Sequence, residues 1–292
     1  MSERQRAETT ALGDSAVSER QRAETTALGD SAVSERQRAE TTALGDSAVS
    51  ERQRAETTAL GDSAVSGFRG QITLDGPSGT GKSSVARAVA TRLGAAYLDT
   101  GAMYRAATVA VLDAGIDPED AEAVAAVVAA ARIEVGTAAD TELVQVDGVD
   151  VAVRIRGAEV TRAVSAVSAV PAVRRRLVDQ QRALVAAADA VVVEGRDIGT
   201  VVLPDATLKV YLTAAPEARA ERRAAQLGLT TPEEVAALAV DLRRRDEYDS
   251  SRADSPLRPA ADAMIVDSTD LDRQGVVDRV VELAQSAVGA RR

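Results

Sequence analysis

The chain predicts an α/β fold: a parallel sheet covered by helices on both faces, with a small antiparallel insertion. Three observations carry this. Short apolar runs alternate with helical stretches from residue 71 onward. GPSGTGKSS, residues 76–84, follows one such run and fits G-x-x-x-x-G-K-[ST], the loop that wraps nucleotide phosphates. Between residues 132 and 155, three β-rich segments surround an Asp147-Gly148 turn.

Taken in order, residues 71–75 read as a short buried strand and 83–93 as a helix that Gly94 closes. Tyr97-Leu98-Asp99 ends a second strand, and a helix over 102–114 follows. Asp117-Pro118-Glu119-Asp120 is an N-cap signature with proline in the first turn, opening an alanine-rich helix to about residue 131. Segments 132–135, 141–146 and 149–155 make the antiparallel meander. Helices over 158–166 and 171–187 come next. Core strands at 190–194, 208–212 and 264–267 alternate with helices at 216–227, 232–250 and 273–287.

Residues 2–65 are four identical copies of SERQRAETTALGDSAV. Each copy advances about 1600° around a helix, leaving a mismatch of about 160°, so Leu12 and Leu28 cannot share a stripe. Gly13, Gly29, Gly45 and Gly61 weaken a long helix further. Units this poor in large apolar side chains have little to stack as a repeat scaffold. The expectation for 1–66 is a polar tail, disordered or partly helical, with the catalytic domain at 67–292.

Composition removes whole classes of chemistry. The 292 residues contain no cysteine and no histidine, which excludes disulfides, thiolate chemistry, Ser-His catalysis and Cys- or His-ligated metals. The net charge of −10 argues against nucleic acid as a partner. The longest apolar stretch, 123–131, is too short to span a bilayer, and no signal-peptide pattern opens the chain; a cytoplasmic protein is expected. Of 35 basic residues only Lys82 and Lys209 are lysine. Lysine is thus kept inside the glycine loop, where a compact ammonium reaches between phosphate oxygens better than a planar fork.

Further polar motifs fall at predicted strand ends. Thr100 and Arg105 stand at the start of a helix, where they suit an anion, although a capped helix with a solvated arginine has the same spacing. Glu194, Arg196 and Asp197 end a fully apolar strand, the place where ligands bind in open α/β sheets. Arg245, Asp249 and Arg252 form one helical stripe, by spacing alone an ordinary surface ion-pair ladder. Arg219, Arg222 and Arg223 share a face of about 100°; that suits a lid over phosphates and equally a solvated surface. Together with Arg174, these cations exceed what one triphosphate needs.

In this order, DGPSGTGKSS, YLDTGAMYR, VVVEGRDIGTVV, LKVYLTA, RRRDEYDSSR and SPL closely resemble the bacterial cytidylate kinase family, over about residues 72–287. The resemblance implies a P-loop fold with a five-stranded parallel core, an NMP-binding insertion at about 115–170 and a helical lid at about 216–232. It implies transfer of the ATP γ-phosphoryl group to CMP or dCMP with Mg²⁺, by a monomer. Gly76, Pro77, Ser78, Gly79, Thr80, Gly81, Lys82, Ser83 and Ser84 would hold ATP, with Ser83 at the metal. Thr100, Arg105 and Arg196 would hold the acceptor phosphate beside Tyr104. Ser165, Arg174 and Asp197 would read cytosine, whose N4 amine donates. Arg245 and Asp249 would contact the sugar, Arg252 would span the phosphates, and Arg219, Arg222 and Arg223 would supply lid cations to the reaction alongside Lys82 and Arg196. Related kinases of UMP or shikimate, and a nucleotide-binding scaffold using the tail, are the competing readings.

Overall fold

A computed structural model describes residues 68–252 and 254–290; the repeat region lies outside the described residues. Five strands form one parallel sheet in the order β2-β6-β1-β7-β8. These are β1 (Gly70–Asp75), β2 (Ala96–Asp99), β6 (Ala190–Glu194), β7 (Leu208–Thr213) and β8 (Met264–Asp267). Their apolar runs are continuous because both faces are covered. Val191 and Val193 of β6 point into one core and Val192 into the other; Leu98 and Tyr97 of β2 divide in the same way.

The first core is closed by α1 (Lys82–Leu93) and α8 (Arg273–Ala290), with Val85, Val89, Val277 and Val280 meeting Ile72, Leu74 and Leu212. The second is closed by α2 (Thr100–Asp113), α3 (Ala121–Ala130), α4 (Ala158–Ala169) and α5 (Pro171–Ala186). A separate antiparallel sheet of β3 (Ile133–Val135), β4 (Val144–Val146) and β5 (Val149–Asp150) caps this side. Its Asp147-Gly148 turn has φ of 52° and 82°, the left-handed pair that a two-residue hairpin demands. The remaining helices, α6 (Pro216–Leu227) and α7 (Pro232–Ser251), form a hairpin. Gly228 ends α6 in the left-handed region, and a Thr231–Glu234 capping box starts α7.

Three local expectations need correction. Asp120, not Asp117, caps α3, accepting the Ala123 N–H at 3.0 Å. Asp117 instead accepts from Glu119 N and makes a turn around Pro118. The third strand of the meander is only Val149–Asp150, because Asp150 caps the Ala152 N–H and a 3₁₀ turn occupies Arg154–Arg156. Finally, α2 begins at Thr100 rather than at residue 102, because Asp99 caps it by accepting from Ala102 N at 2.9 Å.

Strand register places the functional ends together. Leu74 of β1 and Asp99 of β2 both stand opposite Glu194 of β6. The chain therefore leaves three adjacent carboxyl edges at one level, which makes a crevice of the kind that binds ligands in open sheets.

Candidate active site

The glycine loop joins β1 to α1 at the middle of the sheet. Gly76 has φ of 146°, and a Cβ there would lie 2.0 Å from the Leu212 carbonyl oxygen of β7. No larger residue fits. Gly79 and Gly81 also take positive φ, and a Cβ on Gly79 would meet the Arg219 carbonyl oxygen at 2.8 Å. The loop is thus wedged between β7 and the first turn of α6, and it leads into the N-terminus of α1, a helix end that favours anions.

Inside the loop, Lys82 donates from Nζ to the Pro77 carbonyl at 2.7 Å, and Thr80 donates to the same oxygen at 3.1 Å. Ser84 donates to the Gly81 carbonyl. Ser83 donates from Oγ to Glu194 Oε2 at 2.9 Å, while Tyr97 donates to the other carboxylate oxygen. Burial, with Asp99 nearby, pushes Glu194 up to about 7. Burial pulls Lys82 down to about 7; Arg196 adds to this, and Glu194, Asp246 and Asp75 oppose it.

From β6, the chain turns sharply into a π-type turn over Ile198–Val202. Asp75, at the end of β1, fixes that turn by accepting from Ile198 N at 2.9 Å and Gly199 N at 2.7 Å. Burial raises Asp75 to about 6 despite these bonds. The turn aims Arg196 at the loop, where it donates to the Gly76 carbonyl and the Ser78 hydroxyl. Its Nε meets Asp249 of α7 at 3.2 Å, and Arg252 meets the other Asp249 oxygen at 2.6 Å. Arg252 continues to Ser168 Oγ at 3.0 Å and lies 5.4 Å above the Tyr248 ring.

Asp197 points the opposite way, into a buried ion pair with Arg174 of α5. The Arg174 guanidinium stacks on Tyr104 of α2 at 5.5 Å. Thr100 donates to the Glu194 carbonyl at 2.7 Å and so ties α2 to β6. Arg105 donates to the Ile155 carbonyl at 3.0 Å and to Thr161 Oγ1 at 3.2 Å, on the small-sheet side. Arg245 lowers to about 10, through burial first and then the fields of Arg196 and Arg105; its Nε is buried without a partner among the described residues. Three cations therefore feel one another beside the loop. Cations gathered in this way are the arrangement that pairs with anionic groups such as phosphate.

Most residues expected from sequence lie along this edge of the sheet, and two details of their placement differ from what spacing suggests. Arg219, Arg222 and Arg223 do not act as one face. Arg219 meets Asp246 and the Ser78 carbonyl, whereas Arg222 donates to Ser268 Oγ and to the Ser268, Thr269 and Leu271 carbonyls after β8. Those carbonyls end a strand and need donors, so Arg222 fastens α6 to the sheet. Arg223 is half-buried; burial lowers its pKa, with Arg156 adding to this, and it bonds only Gln226 among the described residues. The second detail concerns Ser165, which stays half-buried and whose carbonyl accepts from Ser168. Ser168 is the serine that touches the cations, through its hydroxyl to Arg252 and its carbonyl to Arg174 at 3.4 Å. The three-residue repeat of serine in SAVSAV offers both positions on one helix face, and only Ser168 is buried. Asp75 and Asp246 stand inside the motifs DGPSGTGKSS and RRRDEYDSSR but have no role by spacing alone; their contacts to the turn after β6 and to Ser78 depend on tertiary packing.

A strand–glycine loop–helix unit facing a cluster of arginines across the carboxyl edge of a parallel sheet defines a P-loop phosphotransferase. Residues 72–286 match the family described as cytidylate kinase, and the chain belongs to that family. It is 56% identical over 210 residues to a cytidylate kinase of Nocardia farcinica, covering 72% of this chain and 90% of the relative. A cytidylate kinase of Rhodococcus opacus is 54% identical over 219 residues, covering 75% and 96%. One from Corynebacterium glutamicum is 52% identical over 217 residues, covering 74% and 94%.

Proposed function

We propose that the chain transfers the γ-phosphoryl group of ATP to CMP or dCMP, giving ADP and CDP or dCDP. The observation that carries this reading is the second cationic cluster, Arg105, Arg196 and Arg245, set directly beside a phosphate loop already served by Lys82. One anion pocket holds the donor; the other holds an acceptor that is itself a phosphate. Such an acceptor oxygen is ionised near neutral pH, so no general base is needed and the lack of histidine costs nothing. Catalysis is positioning and charge neutralisation.

In this reading residues 76–84 bind ATP, and Lys82, Arg196 and Arg219 neutralise charge in transfer. Thr100, Arg105 and Arg196 take the acceptor phosphate, Tyr104 packs beside the nucleotide, and Asp197, set by Arg174, accepts from the cytosine N4 amine. Arg245, Asp249 and Arg252 line the sugar and phosphate side. Residues 115–170 act as the acceptor-binding insertion and 216–232 as the lid, within a monomeric cytoplasmic enzyme. Arg223 serves there as a mobile lid cation.

The site also fits Mg²⁺. Ser83 and Glu194 present adjacent hard oxygens, and no group of three His, Cys, Asp or Glu residues is gathered for a metal among the described residues. This suits an ion held mainly by phosphate oxygens and water, with one or two protein donors. When bound, the ion screens charge between the β- and γ-phosphates.

An assay of ADP release with ATP and a panel of CMP, dCMP, UMP and shikimate tests the assignment. CMP or dCMP should be turned over fastest; UMP or shikimate active with CMP inert would remove it. The pH dependence gives a second check. The free-enzyme limb appears in kcat/KM for ATP. Lys82 binds triphosphate when protonated, so kcat/KM for ATP, measured at CMP well below saturation, should fall as pH rises above about 7. Lys82→Arg should flatten that limb whatever its rate, because arginine stays charged. A flat wild-type profile from neutral to alkaline pH would contradict the role.

A further inference from the structure

Asp246 of α7 is the acid that reaches the Gly76–Gly81 part of the loop among the described residues. Its Oδ1 accepts the Ser78 N–H at 3.2 Å, and its Oδ2 accepts from Arg219 Nη1. Arg219 closes the triangle by donating to the Ser78 carbonyl at 3.1 Å. A loop N–H and an arginine fork sharing one anion is how a phosphate is held at such a loop. Here the anion belongs to the protein.

Two details show that the contact is built and yet incomplete. Both side chains are largely shielded, 16% exposed for Asp246 and 9% for Arg219, so the pair is not a solvated surface bridge. Arg219 Nε is nevertheless buried with no partner among the described residues. A carboxylate has two oxygens and both are spent. A terminal phosphate brings three, enough for Ser78, Nη1 and Nε together. Asp246 does not answer to Asp249, its neighbour one turn on, which is taken by Arg196 and Arg252.

We propose that Asp246 is an internal stand-in for the donor's terminal phosphate: it holds Ser78 and Arg219 in the nucleotide-free protein and must yield them to ATP. This rests on residues 76–84 being the ATP site. The device sets a threshold for donor binding. It also keeps Arg219, the base of α6 and the loop in one arrangement until a nucleotide with a third phosphate arrives.

The test uses the full chain with Mg²⁺, titrated calorimetrically with the β,γ-imido analogue of ATP and with ADP. Removing the competing charge in Asp246→Asn should tighten the analogue about 5- to 20-fold, because the binding-competent fraction of the free protein rises. ADP, which lacks the third phosphate, should change by less than about twofold. An analogue affinity that is unchanged or weaker in Asp246→Asn overturns the proposal. Lys82→Ala is the control for the underlying reading: if it binds the analogue as the wild type does, the loop assignment fails. If Lys82→Ala weakens binding and Asp246→Asn does not tighten it, only the stand-in fails. Should Asp246→Asn not fold, a crystal structure of the wild type with the analogue decides instead. Separation of Asp246 from both Ser78 N and Arg219 supports the proposal, and retention of both contacts overturns it.

Discussion

Lys82→Ala is expected to lower kcat for CMP phosphorylation by about 100- to 1,000-fold, the loss typical of removing one donor to developing charge. The ammonium is tied to the Pro77 carbonyl and stands near Arg196, and its affinity for a proton is pulled down to about 7. A triphosphate reverses that balance by adding negative charge within reach of Nζ. The contact then strengthens as charge moves toward the leaving β-phosphate, so kcat should fall further than KM rises. The fold should survive, because the charge is disfavoured where it sits and its removal leaves no unpaired buried acid: Glu194 keeps Tyr97 and Ser83. Steady-state kinetics with a thermal melt decides the matter. Turnover equal to wild type at unchanged Tm would remove Lys82 from the reaction. Lys82→Arg should recover little, since a planar fork cannot reach between two phosphates as a flexible ammonium does.

The parts of the site that sequence made legible are those fixed by covalent neighbours. GPSGTGKSS requires a strand before it and a helix after it, and β1 and α1 lie where that motif sets them. VVVEG reads as a strand buried on both faces, and β6 sits between β2 and β1 with Val191, Val192 and Val193 shared by two cores. What sequence could not supply is direction. Helical periodicity places Arg219, Arg222 and Arg223 on one face, yet one meets an acid, one a ring of strand-end carbonyls, and one neither. The divergence comes from neighbours 27 to 141 residues away along the chain. The stripe of Arg245, Asp249 and Arg252 reads as a surface ladder for the same reason. Only tertiary packing buries Asp249 and inserts Arg196 as its second partner. Short elements failed differently. At Asp117, Asp120 and Asp150 a side-chain cap within two or three residues outweighs the pattern of apolar side chains.

Asp197→Ala is expected to separate stability from recognition. Asp197 and Arg174 are 5% and 4% exposed, and their contact is the ion pair that joins the turn after β6 to α5. Burial raises the Asp197 pKa even with Arg174 beside it, so the pair gains little beyond its own desolvation. Removing the carboxylate strands a guanidinium whose Nε already has no partner among the described residues, at a cost of about 3–5 kcal/mol. For a folded region of this size that corresponds to a fall in Tm of roughly 10 °C. Replacing both partners, Asp197→Leu with Arg174→Met, removes the stranded charge and should restore most of the melting temperature. CMP should not follow. Without an acceptor for the cytosine amine, kcat/KM for CMP should stay at least about 100-fold below wild type in both variants, while KM for ATP moves little. Recovery of CMP turnover in the double variant would mean that the pair only braces the turn. Loss of ATP binding instead would place Asp197 on the donor side of the cleft.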